Sequence, residues 1–210
     1  MTESRLREQI CLQGRSLFDR GLTFGSAGNI SIRLDDGWLM TPTNACLGRL
    51  DPAELSKVDL QGRLVSGGKP TKESFLHTSM YAQRPSAGAI VHLHSTHSVA
   101  VSVLADLDPQ EPIPPITAYY VMKIGELALV PYYAPGDAGL ADAVREVAAR
   151  HHAVLLANHG PVIAGKDLET AIYATEELEE TARLYLMLRG EKLKLLSAAD
   201  VAALRQKYPS

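Results

Sequence analysis

Cysteine is scarce in this 210-residue chain: its two copies, Cys11 and Cys46, have neither the number nor the spacing of a disulfide framework or a zinc ribbon. Long apolar runs are missing as well. No stretch approaches the ~18 consecutive apolar residues of a membrane span, and the opening MTESRLREQI carries no apolar signal core. The expected setting is the cytoplasm, with no membrane association. Basic charge is not in excess either. With 21 Lys+Arg against 24 Asp+Glu and a formal net charge of -3, there is no electrostatic reason to expect nucleic acid, whose binding needs a basic surface. Repeats, low-complexity tracts and a recognisable linker are all absent, and no segment matches the P-loop pattern, so a nucleotide is not indicated.

What is present is enough apolar residue, 46% of the chain, to fill the core of one domain spanning residues 1–210. Residues 2–20 have the spacing of an amphipathic helix, with Leu6, Ile10, Leu17 and Phe18 on roughly one face and Gly21 as its stop. Short strands follow. Residues 30–34 and 38–40 flank Asp35-Asp36-Gly37, a hairpin signal, and residues 58–60 and 64–65 flank Gln61-Gly62 in the same way. Asp51-Pro52 reads as the cap and first position of a short helix. Helical spacing returns over 73–83, closed by Pro85. A buried strand over 89–93 feeds a helix over 95–104. A proline-rich connection, 109–115, leads to Tyr119-Tyr120 and a strand over 128–131. A helix over 140–150, strands at 154–157 and 162–163, a long helix over 167–189 and a last helix from Ser197 complete the pattern. Hairpins interleaved with helices predict an α/β domain whose sheet is mixed or antiparallel, rather than strict βαβ repetition.

Chemistry concentrates where predicted strands end. In His92-Leu93-His94 the two imidazoles are two residues apart, so in extended chain they point to one side and can converge on one ion. A third candidate, His159, stands in Asn158-His159-Gly160-Pro161, just past another buried strand. One strand-end histidine is ordinarily solvated or bonded to backbone. Three of the chain's seven at such junctions fit a three-histidine catalytic metal site with an open position. His97 follows three residues after His94, inside the predicted helix. Glu73 sits where a loop enters a helix, a place the helix dipole favours for any acid, and His77 is one turn further along. Two loops suit an anion. Phe24-Gly25-Ser26-Ala27-Gly28-Asn29 has small residues that let backbone amides approach a ligand. Thr41-Pro42-Thr43-Asn44 and Thr71-Lys72 add hydroxyls, an amide and an ammonium.

Taken together, Gly28-Asn29-Ile30-Ser31, Thr41-Pro42-Thr43, Glu73, His92-Leu93-His94 with His97, and Asn158-His159-Gly160 resemble the class II aldolase/adducin family over nearly the whole chain. The resemblance implies a three-layer α/β/α sandwich around a mixed, mostly antiparallel central sheet. It also implies a homotetramer with sites between subunits, and a zinc ion held by His92, His94 and His159. By position, Glu73 is the acid/base, Tyr119 the proton donor, and Gly28, Asn29, Thr43, Asn44, Thr71 and Lys72 the phosphate-binding group. Family members that act on sugar phosphates by aldol cleavage or epimerisation usually carry Gly at the place of Asn44 and Ser-Ser at the place of Thr71-Lys72. The longer pattern here, including Lys69-Pro70-Thr71-Lys72-Glu73 and Ala118-Tyr119-Tyr120-Val121, is instead similar to the branch that decarboxylates 3-oxo-tetronate 4-phosphates. The expected reaction is therefore loss of carbon dioxide from a small phosphorylated sugar acid, leaving dihydroxyacetone phosphate. The alternatives are a sugar-phosphate aldolase, epimerase or dehydratase, and a non-catalytic adducin-like module. The intact histidines and Glu73 argue against the module.

Overall fold

The computed structural model describes residues 2–134 and 137–208. Eight strands form one sheet: β1 (Asn29–Leu34), β2 (Gly37–Met40), β3 (Ser56–Asp59), β4 (Leu64–Ser66), β5 (Ala89–His92), β6 (Leu127–Val130), β7 (Ala153–Leu156) and β8 (Gly160–Gly165). Their order is β4-β3-β2-β1-β5-β8-β7-β6, and every neighbouring pair is antiparallel except β6 with β7. Both anticipated hairpins form. β1 and β2 pair with Leu34 opposite Gly37, so Asp35-Asp36 is a two-residue turn.

Among the described residues there are seven α-helices, α1 (Glu3–Asp19), α2 (Ser74–Gln83), α3 (Thr96–Ser102), α4 (Ala118–Lys123), α5 (Gly139–Ala148), α6 (Leu168–Met187) and α7 (Ala198–Lys207), the last of which packs on α4. Strand side chains alternate between two faces, and the two faces bury different helices. Trp38, Met40, Ile90, Val154, Leu156 and Val162 pack with Leu76 and Met80 of α2 and Leu140 and Val144 of α5. From the opposite face, Ile30, Ile32, Ala89 and Val91 meet Ile10 and Leu17 of α1 and Ile172 of α6. Leu155 and Ile163 meet Tyr120 and Val121 of α4 and Leu178 of α6. Each fully buried Leu, Ile or Met contributes about 1.5–3 kcal/mol, so both helical layers are held chiefly by apolar burial. The expected three-layer α/β/α sandwich is what forms.

The long helix α6 shows how local signals and packing agree. Asp167 caps it by accepting from the Thr170 amide at 2.7 Å. Leu168, Ala171, Ile172, Thr175, Leu178 and Ala182 form its buried stripe at three- and four-residue spacing. Two expectations need correction. Asp51-Pro52 starts no α-helix: Asp51 Oδ1 accepts from the Ala53 amide at 2.9 Å in a tight turn, and four residues later the chain must already be extended to pair β3 with β2. The nearby helical turn is a 3₁₀ segment, Leu47–Arg49. Tyr119-Tyr120, left without a secondary structure by its sequence, lies in α4, where Thr117 accepts from the Tyr120 amide as an N-cap.

Strand directions decide where the functional loops meet. β5 is antiparallel to β8 and β8 to β7, so β5, β7 and β6 run the same way. The pairing of β1, β2, β3 and β4 gives β2 and β4 that direction too. Five strands therefore end at one edge of the sheet. The loops leaving them carry Thr41–Asn44, Thr71–Glu73, His94, Tyr132-Tyr133 and Asn158-His159.

Candidate active site

At that edge lies a cavity of about 970 Å³, lined among others by Gly28, Asn29, Thr43, Asn44, Thr71, Lys72, Glu73, His94 and His159. Crevices beyond the carboxyl ends of strands are the usual ligand sites of α/β sheets. His92 is the last residue of β5 and fully buried. Its Nδ1–H donates to the Pro161 carbonyl at 2.8 Å, which fixes the tautomer and turns the Nε2 lone pair toward the cavity floor. His94 lies two residues on. His159 follows Asn158, whose backbone is left-handed at φ 58°, a conformation Asn tolerates better than most residues. The turn closes on Gly160, where a side chain would bring Cβ within 2.3 Å of the Leu93 carbonyl oxygen. Glycine at that position is what lets the His159 loop lie against the His92–His94 segment.

The three imidazoles meet edge to face through their Nε2 atoms. His92 Nε2 and His159 Nε2 each stand 3.1 Å from His94 Nε2. Glu73 closes the group, with Oε1 3.0 Å from His159 Nε2 and Oε2 3.4 Å from His92 Nε2. The four ligand atoms lie within 4.8 Å of one another. Three imidazole nitrogens cannot all be satisfied by one another, because each neutral ring offers one donor and one acceptor. Nitrogens at ~2.0–2.1 Å from a tetrahedral ion stand roughly 3.3 Å apart. The spacing and the donor set thus fit a divalent cation held by His92, His94 and His159 beside Glu73.

Electrostatics prepare the same role. Burial, and then the charges of His92 and His159, pull the His94 pKa down to about 4, which keeps its ring neutral and available near pH 7. Burial alone would push the Glu73 carboxyl up. The close approach of His159 and His92 and the hydrogen bond from Asn29 outweigh it and hold the group well below the usual carboxylate range.

The predicted site residues divide. His92, His94, His159 and Glu73 form the cluster, and the six residues expected to bind phosphate all line the cavity. Asn29 is the least free of them: it is 4% exposed, and its amide donates to Glu73 Oε2 at 2.7 Å and accepts from His77 Nε2. Only its second N–H is left for a ligand. Tyr119 is not brought in; its side chain is 62% exposed on α4 and does not line the cavity. His97 sits at the start of α3 and pairs with Glu179 of α6 rather than with the cluster.

Sequence reasoning missed Tyr132, Tyr133 and Phe75, which give the cavity an aromatic wall. The signal was available for the tyrosines, which directly follow a predicted strand end as His94 and His159 do. It also missed Glu179. This half-buried carboxylate takes the backbone amides of His97 and Ser98 and the Ser98 hydroxyl at 2.7–2.9 Å, pinning the start of α3, just beyond His94, to α6.

The fold, the histidine cluster and the loops around it define a metal-lyase type of site, and a family model agrees. Residues 8–186 match the Class II Aldolase and Adducin N-terminal domain, and the chain belongs to that family. Among its relatives is the 3-oxo-tetronate 4-phosphate decarboxylase of Pectobacterium atrosepticum, 50% identical over 204 residues that cover 97% of this chain and 94% of that one. The crystal structure of YgbL from Klebsiella pneumoniae superposes with a TM-score of 0.95 at 50% identity, covering 98% of this chain and all of the other. The L-fuculose phosphate aldolase of Escherichia coli is more distant, 33% identical over 215 residues that cover 99% of this chain and 96% of its own.

Proposed function

We propose that the protein is a metal-dependent carbon-carbon lyase that decarboxylates a 3-oxo-tetronate 4-phosphate to dihydroxyacetone phosphate and carbon dioxide. The observation that carries the reading is the Glu73–His92–His94–His159 cluster on the floor of a cavity rimmed by Thr43, Asn44, Thr71 and Lys72. Half-identity to a decarboxylase over nearly the full chain favours this reaction over aldol cleavage.

His92, His94 and His159 would hold the ion, taken as zinc from the nitrogen donor set, with other divalent metals as alternatives. When bound, such an ion supplies Lewis-acid stabilisation of negative charge developing on substrate oxygens. The chain's own groups do the rest. Backbone amides near Gly28, the hydroxyls of Thr43 and Thr71, the Asn44 amide and the exposed Lys72 ammonium would bind and orient the phosphate. With the phosphate fixed, C1 to C3 of a four-carbon acid extend toward the histidines. The C1–C2 bond breaks, its electron pair stays on C2 in conjugation with the C3 oxygen, and C1 leaves as neutral carbon dioxide. A proton delivered to C2 then completes dihydroxyacetone phosphate.

Glu73 is ionised in the resting site, so it carries this proton only after accepting it. Tyr119 is the second candidate donor. Its exposed place on α4 fits a role toward the cavity of a neighbouring copy, and with it an assembly, a homotetramer, whose sites lie between subunits. A cytoplasmic setting accords with the phosphorylated substrate.

The test supplies the protein with 3-oxo-tetronate 4-phosphates of both C2 configurations, alongside fuculose and ribulose phosphates. Carbon dioxide and dihydroxyacetone phosphate from the first group, at rates far above aldehyde release from the second, are expected. Aldehyde release with no carbon dioxide would make the protein an aldolase and leave the metal site as assigned.

A further inference from the structure

Behind Glu73, away from the cavity, a line of buried polar side chains runs between β1 and α2. Asn29 is 4% exposed, His77 0%, Ser31 0% and Tyr81 2%. Burying four polar groups in an apolar layer is costly unless each is satisfied, and here they satisfy one another in sequence. Asn29 Nδ2 lies 2.7 Å from Glu73 Oε2, His77 Nε2 2.5 Å from Asn29 Oδ1, Ser31 Oγ 2.7 Å from His77 Nδ1, and Tyr81 OH 2.9 Å from Ser31 Oγ.

The chemistry of the end groups sets the direction of every link. The Glu73 carboxylate only accepts, so Asn29 must present its NH₂ there and its Oδ1 to His77. Oδ1 only accepts, so His77 carries its proton on Nε2 and accepts at Nδ1. The Ser31 hydroxyl therefore donates to His77, and its oxygen accepts from Tyr81. A phenol thus begins a one-way chain that ends on the carboxylate beside the metal ligands.

From this geometry we infer that His77 is a positioning residue for Glu73, acting through the Asn29 amide. An asparagine held by Glu73 alone can rotate its amide by half a turn and place Oδ1 against the carboxylate, where the contact is repulsive. The His77 Nε2–H makes that rotation unfavourable, because it would face an NH₂. His77 therefore selects the amide orientation that anchors Oε2 and leaves Oε1 toward His159 and the cavity. The inference rests on the role given to Glu73 above.

Four variants test it: His77→Leu, which keeps the approximate volume and removes the donor; His77→Gln, whose amide N–H can replace it; Ser31→Ala; and Tyr81→Phe. In the metal-loaded enzyme His77→Leu is expected to lower kcat about ten- to a hundredfold, the scale of a displaced catalytic group. KM and metal content should stay near wild type. His77→Gln should recover kcat to within about fivefold, and the losses should shrink from Ser31→Ala to Tyr81→Phe, following the chain. Equal impairment of the Leu and Gln variants, or wild-type kcat in a folded His77→Leu, would overturn the inference. Should His77→Leu fail to fold, Ser31→Ala decides, with a several-fold fall in kcat expected and an unchanged kcat contradicting it.

One readout is independent of the reaction. The ¹⁵N spectrum of histidine-labelled protein, with the His77 signals identified by their loss in His77→Gln, should show Nε2 protonated and Nδ1 as an acceptor. The opposite tautomer would overturn the positioning role whether or not carbon dioxide is formed. An inactive wild type with the expected tautomer would instead refute only the assigned reaction.

Discussion

Acid should destabilise this protein through one buried imidazole in particular. His77 is wholly buried, and burial first, then the charge of His92, pulls its pKa from the usual 6.5 to about 3. Between those values the unfolded chain binds a proton at this position and the folded chain does not. Stability therefore rises with pH across the window: His77's contribution is complete above about pH 6.5 and falls by about 1.4 kcal/mol for each pH unit below it. Down to pH 4.5 this amounts to about 2–3 kcal/mol, a sizeable part of the ~5–15 kcal/mol by which domains are stable. The assay is urea unfolding of chelator-treated wild type and His77→Gln at pH 7.0, 5.5 and 4.5. Both proteins keep His92, His94, His159 and Glu73, so the difference between their pH dependences isolates position 77. His77→Gln should be less stable than wild type at pH 7. By pH 4.5 the gap should have moved in its favour by about 2–3 kcal/mol. A gap that stays constant would mean that His77 takes up its proton in the fold without penalty, and the directed chain described above would then be wrong.

Glu73→Gln keeps the size of the side chain but removes the base, and should lower kcat roughly a hundredfold or more while circular dichroism stays unchanged. Activity within a few-fold of wild type would reduce Glu73 to a helix-start residue. His159→Ala should lose stoichiometric metal, measured by elemental analysis, together with turnover, and remain folded because an open catalytic site is not a structural one. Retained metal would refute the ligand set. Lys72→Ser should weaken substrate use by about 1–3 kcal/mol, seen mainly in KM, if the ammonium contacts the phosphate. An unchanged KM would make Lys72 a solvated loop residue.

Local chemistry made much of this molecule legible. Asp35-Asp36-Gly37 between alternating strands marks the β1–β2 hairpin, and the helices expected from 167 and from Ser197 are α6 and α7, which Asp167 and Ser197 cap. The clustered histidines were legible as a group because each stands at or just past the end of a buried strand, and strand ends are where this sheet gathers its loops. The strand order was not readable. Nothing in the residues of β8 says that it lies between β5 and β7, or in β6 that it runs parallel to β7, and without that pairing Tyr132 and Tyr133 could not be placed beside His159. From sequence, His77 reads as a structural or supporting group one helical turn from Glu73, with no partner identifiable. Its actual partner, Asn29, is 48 positions away and arrives through the pairing of β1 with β5, where Asn29 stands opposite His92. Tyr119 is the reverse case. Its motif was visible, yet within one chain it is exposed and does not line the cavity.

The most direct test of the whole account uses a 3-oxo-tetronate 4-phosphate labelled with ¹³C in its carboxylate. It would be turned over by the protein as purified, after chelation, and after a divalent ion is restored. The account predicts one labelled carbon dioxide for each dihydroxyacetone phosphate formed, loss of both products on chelation, and return of both with about one ion per chain. Label retained in a four-carbon product, or undiminished carbon dioxide release from protein whose His92–His94–His159 site has been emptied, would contradict it.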